Sequence, residues 1–300
     1  MEFEEFKKKI VEGLRDIYGD RVEIDTGVVI KNNGNKYNGI CIRPKNAECR
    51  TAPVIELDSL YSSLENGTMK IEDCVWEILH NSANLSGHER VEQLAKDISD
   101  WECVKDDIYP ILLSTEENWE LLEKLVSTSM LDLSVVYIIR RGLSGESTMG
   151  IKITPKMLES YGMDVEQLHG QALENMRKDG YEFLELRTLV KEILHMDELD
   201  DGQDDHKTEM YILTNSARFY GAAGILNKEL LRGFAGDRNF IILPSSVHES
   251  LFVPVNDETD QAFFDEMVRE VNRSEVSVEE KLADHSYYYD AQIGEIRMCA

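Results

Sequence analysis

The chain has 300 residues, with 58 acidic against 32 basic side chains and a formal net charge of −26. Such a negative surface argues against direct binding to nucleic acid or to anionic membrane, because both need a basic face. Hydrophobic residues at 42% and charged residues at 30% support a packed core and argue against wholesale disorder.

Residues 2–19 place Phe3, Phe6, Ile10, Leu14 and Ile17 on one stripe and predict an amphipathic helix ended by Gly19-Asp20. Val- and Ile-rich runs at 22–30 and 36–43 flank Asn32-Asn33-Gly34-Asn35, a hairpin signal because Asn and Gly tolerate positive φ. Helical patterns follow at 57–65, 69–82 and 88–99, with Cys74, Val75, Ile78 and Leu79 as the buried face of the second. The pattern breaks at Asp100, Asp106 and Asp107, which sets a helical region with a hairpin at 1–105 before a mixed domain at 106–300.

In the second region Tyr109–Leu113 reads as a strand, and Ser114 with Glu117 as a capping box for a helix carrying Trp119, Leu122 and Val126. Leu133–Ile139 and Thr148–Ile153 read as strands. Thr154-Pro155 opens a helix, and Asp164 with Gln167 caps the next. A further helix is expected over 187–196. The most acidic stretch, 197–206, reads as a solvated linker. As an EF-hand loop it fails, because Leu199 and Thr208 fall where oxygen ligands of the calcium site belong.

A weak internal echo links 136–158 with 210–231. Each half reads as strand, strand, capped helix, the second with Ala222–Leu226 as its second strand, and the two units are expected side by side in one sheet. Phe240–Leu243 and Leu251–Val255 are apolar strands. A helix carries Phe263, Phe264, Met267, Val268 and Val271, and Ser277 with Glu280 forms another capping box. Tyr287–Tyr289 and Ile293–Ile296 read as a closing hairpin. The fold class expected is α+β.

Met1–Glu5 lack the basic and apolar segments of a secretory signal, and no run approaches the length of a membrane span. The five cysteines, Cys41, Cys49, Cys74, Cys103 and Cys299, are odd in number and irregular in spacing, with no C-x-x-C. These features point to a cytoplasmic setting. No phosphate loop, cofactor motif or metal-ligand spacing is present, so no cofactor is expected.

Chemistry has two candidate places. The connection Ser245-Ser246-Val247-His248-Glu249 joins two hydrophobic strands, where a scaffold can fix polar groups. In an extended connection Ser246 and His248 share a side and Glu249 faces away, so a Ser–His pair is conceivable. No G-x-S-x-G elbow surrounds either serine, and the simpler account is turn serines with a packing or capping histidine. The second place is Asp284-His285 before Tyr287-Tyr288-Tyr289, whose simpler account is a polar strand entry with tyrosines alternating between core and surface.

Three stretches together, Met210–Leu226 (MYILTNSARFYGAAGIL), Asn239–Val255 (NFIILPSSVHESLFVPV) and Ala283–Asp290 (ADHSYYYD), resemble an uncharacterised domain-of-unknown-function family of Gram-positive anaerobes and their mobile elements. The resemblance extends to the N-terminal helix and to Ile153–Met176. It implies a cytoplasmic bacterial protein and supplies no catalytic residues.

Three functions follow. The first is a non-catalytic binding or regulatory protein whose partner is a protein with a basic surface or a peptide held in a groove. The second is a hydrolase or transferase using Ser246, His248 and Glu249 with His285. The third is an acidic DNA mimic. A folded chain of this size exposes on the order of 13,000 Å², or one net charge per roughly 500 Å². A duplex carries about one per roughly 100 Å², so mimicry requires the acids on one face. The sequence leaves the oligomeric state open.

Overall fold

The computed structural model describes residues 1–45, 54–85, 97–142, 148–188, 209–244, 246–256 and 259–298. The acidic stretch 197–206, most of the helices expected over 88–99 and 187–196, Cys49, Cys299 and Ser245 lie outside them. The chain is α+β and divides into two units, Met1–Cys103 and Val104–Ala300.

In the first unit the apolar stripe of α1 (Phe3–Tyr18) buries Phe6, Ile10 and Leu14. Burial of such side chains contributes about 1.5–3 kcal/mol each. The stripe joins Ile40, Leu57, Cys74 and Ile78 in one core. In the antiparallel sheet of β1 (Val22–Ile30), β2 (Lys36–Pro44) and β3 (Val54–Glu56), Ile40 lies on β2; Leu57 directly precedes α2 (Asp58–Glu65), and Cys74 and Ile78 lie on α3 (Ile71–Leu85). The β1–β2 turn places Asn33 at φ 56°, as the Asn-Gly signal requires.

The second unit holds two antiparallel sheets. In one, β6 (Leu133–Gly142) pairs with β4 (Ile108–Ser114) along one side. Along its other side it pairs with β5 (Ser127–Met130) and then β7 (Thr148–Lys152). The expected capped helix after β4 is a single turn, α4 (Trp119–Leu122), with Trp119 exposed. Ser114 Oγ accepts the Glu117 N–H at 3.4 Å and closes a turn there instead. The caps of α5 (Pro155–Tyr161) and α6 (Val165–Arg177) form as read. Thr154 accepts the Met157 N–H, and Asp164 and Gln167 make a reciprocal box.

The other sheet has the order β13 (Glu295–Met298), β12 (Tyr287–Asp290), β10 (Phe240–Leu243), β11 (Ser250–Pro254), β9 (Tyr211–Thr214), β8 (Glu182–Glu185). Phe183, Phe240 and Phe252 cluster on it with Phe234 of α7 (Lys228–Ala235). On its other side Phe264 and Val268 of α8 (Gln261–Ser274) pack with Ile241, Leu243 and Val253.

The internal echo diverges in this unit. Gly221–Leu226 is a buried 3-10 turn, not a strand, and it packs against β4 as well as β9 and β11. The two echoed segments therefore lie in different sheets. Glycine makes the turn possible, because a Cβ on Gly221 would collide with the His248 carbonyl oxygen and Thr214 Oγ1.

Candidate functional site

Ser246 and His248 belong to the connection between β10 and β11. Ser246 is buried, and its Oγ accepts the backbone N–H of His248 at 3.0 Å, a serine turn. The His248 Nδ1 lone pair takes the backbone N–H of Tyr220 at 3.2 Å. That bond fixes the neutral ring as the Nε2–H tautomer. Nε2 lies 3.6 Å from Glu280 Oε1. Glu280 was expected as the partner of Ser277 in a capping box, but Ser277 makes no such side-chain bond. Tyr220 has φ 53°, and Asn215 holds the loop by bonding both polar backbone groups of Phe219. Glu249 is half-buried on the adjoining residue.

His285 lies in a different network. Its Nε2 is 2.8 Å from Asp132 Oδ2, and its Nδ1 is 3.1 Å from the Ser286 carbonyl oxygen. Asp132 Oδ1 also accepts the Tyr287 hydroxyl at 2.6 Å. Burial of the ring opposes the charged form of His285. The bonds to Asp132 and Ser286 and the negative charge of Asp132 and Asp265 outweigh it, so the pKa lies above the ordinary value. Burial likewise works to raise Asp132, but hydrogen bonds from Tyr287 and His285 bring its carboxyl below the usual range. The buried Tyr287 phenol is pushed far up, first by burial and then by the Asp132 carboxylate.

Neither histidine of the sequence candidates lines a cleft of about 880 Å³ in the second unit. Its walls come from β5 and the turn after it, from α6, from the 3-10 turn with α7, and from Gly294 to Ile296. Met130, Leu173 and Ile296 provide apolar surface. Among the described residues β5 pairs only with β6, and β13 only with β12, so each presents one unpaired edge. An unpaired edge offers a row of backbone donors and acceptors.

Polar and charged groups also line the cleft. His169 Nδ1 lies 2.9 Å from the hydroxyl of the buried Tyr137, itself 3.0 Å from Thr128 Oγ1. Burial holds His169 below its ordinary pKa, so the ring is neutral at neutral pH. Lys228 pairs with Glu295 at 2.8 Å. Arg177, Arg232, Glu166 and Glu229 line the cleft without an ion pair among the described residues. Arg232 rests against Gly294, where φ is 70° and a Cβ would strike the guanidinium.

His169 reads in sequence as a residue of a polar helix face. Its role depends on Tyr137, a strand residue with no local link to it. Among the described residues no three His, Cys, Asp or Glu side chains are placed to hold a metal ion, and no helix is long and apolar enough to cross a membrane.

Residues 3–291 match the model of a family of unknown function, DUF5688, and the chain belongs to that family. No curated protein and no solved structure matches it.

Proposed function

We propose that this member of the DUF5688 family is a non-catalytic binding protein that takes an extended peptide segment into the cleft between β5 and β13. The observation that carries the reading is the pair of unpaired strand edges bordering one apolar cleft. A peptide added to such an edge gains backbone hydrogen bonds, while pockets for alternate side chains select its sequence. Met130, Leu173 and Ile296 supply apolar surface for such side chains.

The charge of the cleft supports the same reading. The chain carries −26 overall, yet Arg177 and Arg232 balance Glu166 and Glu229 along this surface. The cleft therefore suits a segment of mixed charge, which the rest of the surface would not favour. The connection around His248 supports binding over catalysis, since the Nδ1 lone pair and the Ser246 Oγ each take a backbone N–H. A hydroxyl nucleophile needs a base with a lone pair aimed at it. We place the protein in the cytoplasm, in keeping with its odd and irregularly spaced set of five cysteines.

The test is selection of short random peptides against the full chain, followed by NMR mapping and calorimetry with the selected peptide. Shifts confined to β5, α6 and β13, lost in Leu173→Glu, are the expected result. Backbone N-methylation at alternate peptide positions should weaken binding strongly, and at the intervening positions weakly. Shifts elsewhere, or no alternation, would overturn the reading, as would peptide turnover abolished by Ser246→Ala.

A further inference from the structure

Asp132, His285 and Tyr287 join two walls of the cleft. Asp132 sits in the two-residue turn between Met130 of β5 and Leu133 of β6, next to Leu131, which lines the cleft. Leu131 has φ 55°, so the turn is tightly specified. Tyr287 begins β12 and pairs with Met298 at the end of β13. The two bonds to the Asp132 carboxylate, from Tyr287 at 2.6 Å and His285 at 2.8 Å, thus tie the β5–β6 turn to the β12–β13 hairpin.

Both nitrogens of His285 face oxygens that accept only. One is the Asp132 carboxylate and the other the Ser286 carbonyl. Only the imidazolium donates to both; a neutral ring must abandon one. The charged groups around the ring are Asp132 from the turn, Asp265 from α8 and Asp284 on its own segment. Asp265 Oδ1 takes the Ser286 N–H and O–H at 2.7 and 2.6 Å, and Asp284 takes the Asn272 amide at 2.6 Å. The Tyr287 ring lies edge-on at 4.8 Å.

We propose that a proton on His285 latches the β5–β6 turn to β12 and so governs how far the cleft opens to its peptide. The regulatory part rests on the peptide reading; the latch itself does not. The imidazolium tightens the latch; the neutral ring gives up one of its two acceptors and loosens it while the Tyr287 bond to Asp132 stays, so peptide affinity rises with pH through the His285 titration. The rise is at most about tenfold per pH unit, the limit for one proton. The raised pKa of His285 places this above the ordinary imidazole range.

The latch is tested without any peptide. His285 is titrated by NMR of its ring carbon, and amide hydrogen exchange of β5 and β13, corrected for intrinsic rates, is followed across the same range. The wild type should titrate above about 6.5 and show an exchange step at that midpoint. In Asp132→Asn the midpoint should fall and the step vanish. His285→Gln, uncharged throughout, should show no step and provides the control if Asp132→Asn folds poorly. A wild type without the step, or a step that persists in His285→Gln, would overturn the latch. If the latch titrates as expected but no peptide is selected, the peptide reading fails alone. If the selected peptide binds with the same affinity on both sides of the midpoint, the regulatory proposal fails and the peptide reading stands.

Discussion

Arg140 of β6 and Asp179, 39 residues later, form a two-bond pair, with Nη1 at 2.7 Å from Oδ2 and Nη2 on Oδ1. Asn215 donates to the same carboxylate at 3.3 Å, and the guanidinium lies 3.6 Å over the Tyr109 ring. The side chains are only 13% and 10% exposed. Removing one partner leaves a buried charge without its mate, so Arg140→Ala or Asp179→Ala should cost about 3–5 kcal/mol. The double replacement Arg140→Ala with Asp179→Ala should cost clearly less than the sum. Urea denaturation of the four chains measures this, and strict additivity would show that the pair is not coupled.

Gly221 and Gly233 should respond in opposite ways to alanine. At Gly221 the new methyl meets the His248 carbonyl oxygen, Thr214 Oγ1 and the Asn215 nitrogen, all fixed by the surrounding hydrogen bonds. Overpacking of this kind costs about 1–3 kcal/mol and occasionally more. Gly233 lies within α7 with nothing near its Cβ position. There alanine should stabilise by about 0.5–1 kcal/mol through helix propensity. Equal thermal midpoints for the two variants would contradict the close packing of the 3-10 turn.

Elements specified by neighbouring residues were legible in the sequence. The stripe of α1, the Asn-Gly turn and the caps at Thr154 and Asp164 each need only a few adjacent side chains. Ala222–Leu226 was not legible, because a short apolar run fits a strand or a buried helical turn equally well. What decides is Gly221 and Gly224, whose missing side chains admit the His248 carbonyl and the Tyr181 ring. The site divides in the same way. The Ser246–His248 connection is conspicuous, yet the ring's state is set by the Tyr220 N–H, 28 residues away. Asp132 has no local signal at all; it meets His285 across 153 residues.

Ser246→Ala removes a turn hydrogen bond and nothing that reacts. It should lower stability by about 0.5–1.5 kcal/mol, the usual net value of one such bond. Peptide affinity should stay unchanged, because Ser246 lies outside the cleft. Calorimetric titration of the variant checks this. A large loss of affinity would move the binding surface to the connection between β10 and β11.

The Asp132–His285 pair also predicts the shape of the stability profile against pH. The folded pKa of His285 is raised above 6.5, so its contribution is full below that value and is lost as pH rises through the folded pKa. The folded pKa of Asp132 is lowered below 3.8, so its contribution is present above that value and is lost as pH falls through the folded pKa. The stability difference between the wild type and Asp132→Asn should therefore be greatest between about pH 4 and about pH 6.5 and shrink on the alkaline side. With the carboxylate 43% exposed, screening limits the pair's charge contribution to about 1 kcal/mol. Tyr287→Phe should cost about 1–2 kcal/mol across the same range, because the phenol is buried and neutral and its bond to the carboxylate does not titrate there. Urea denaturation at a series of pH values separates the two effects. A wild-type advantage over Asp132→Asn that grew toward alkaline pH would mean that His285 is held neutral in the fold.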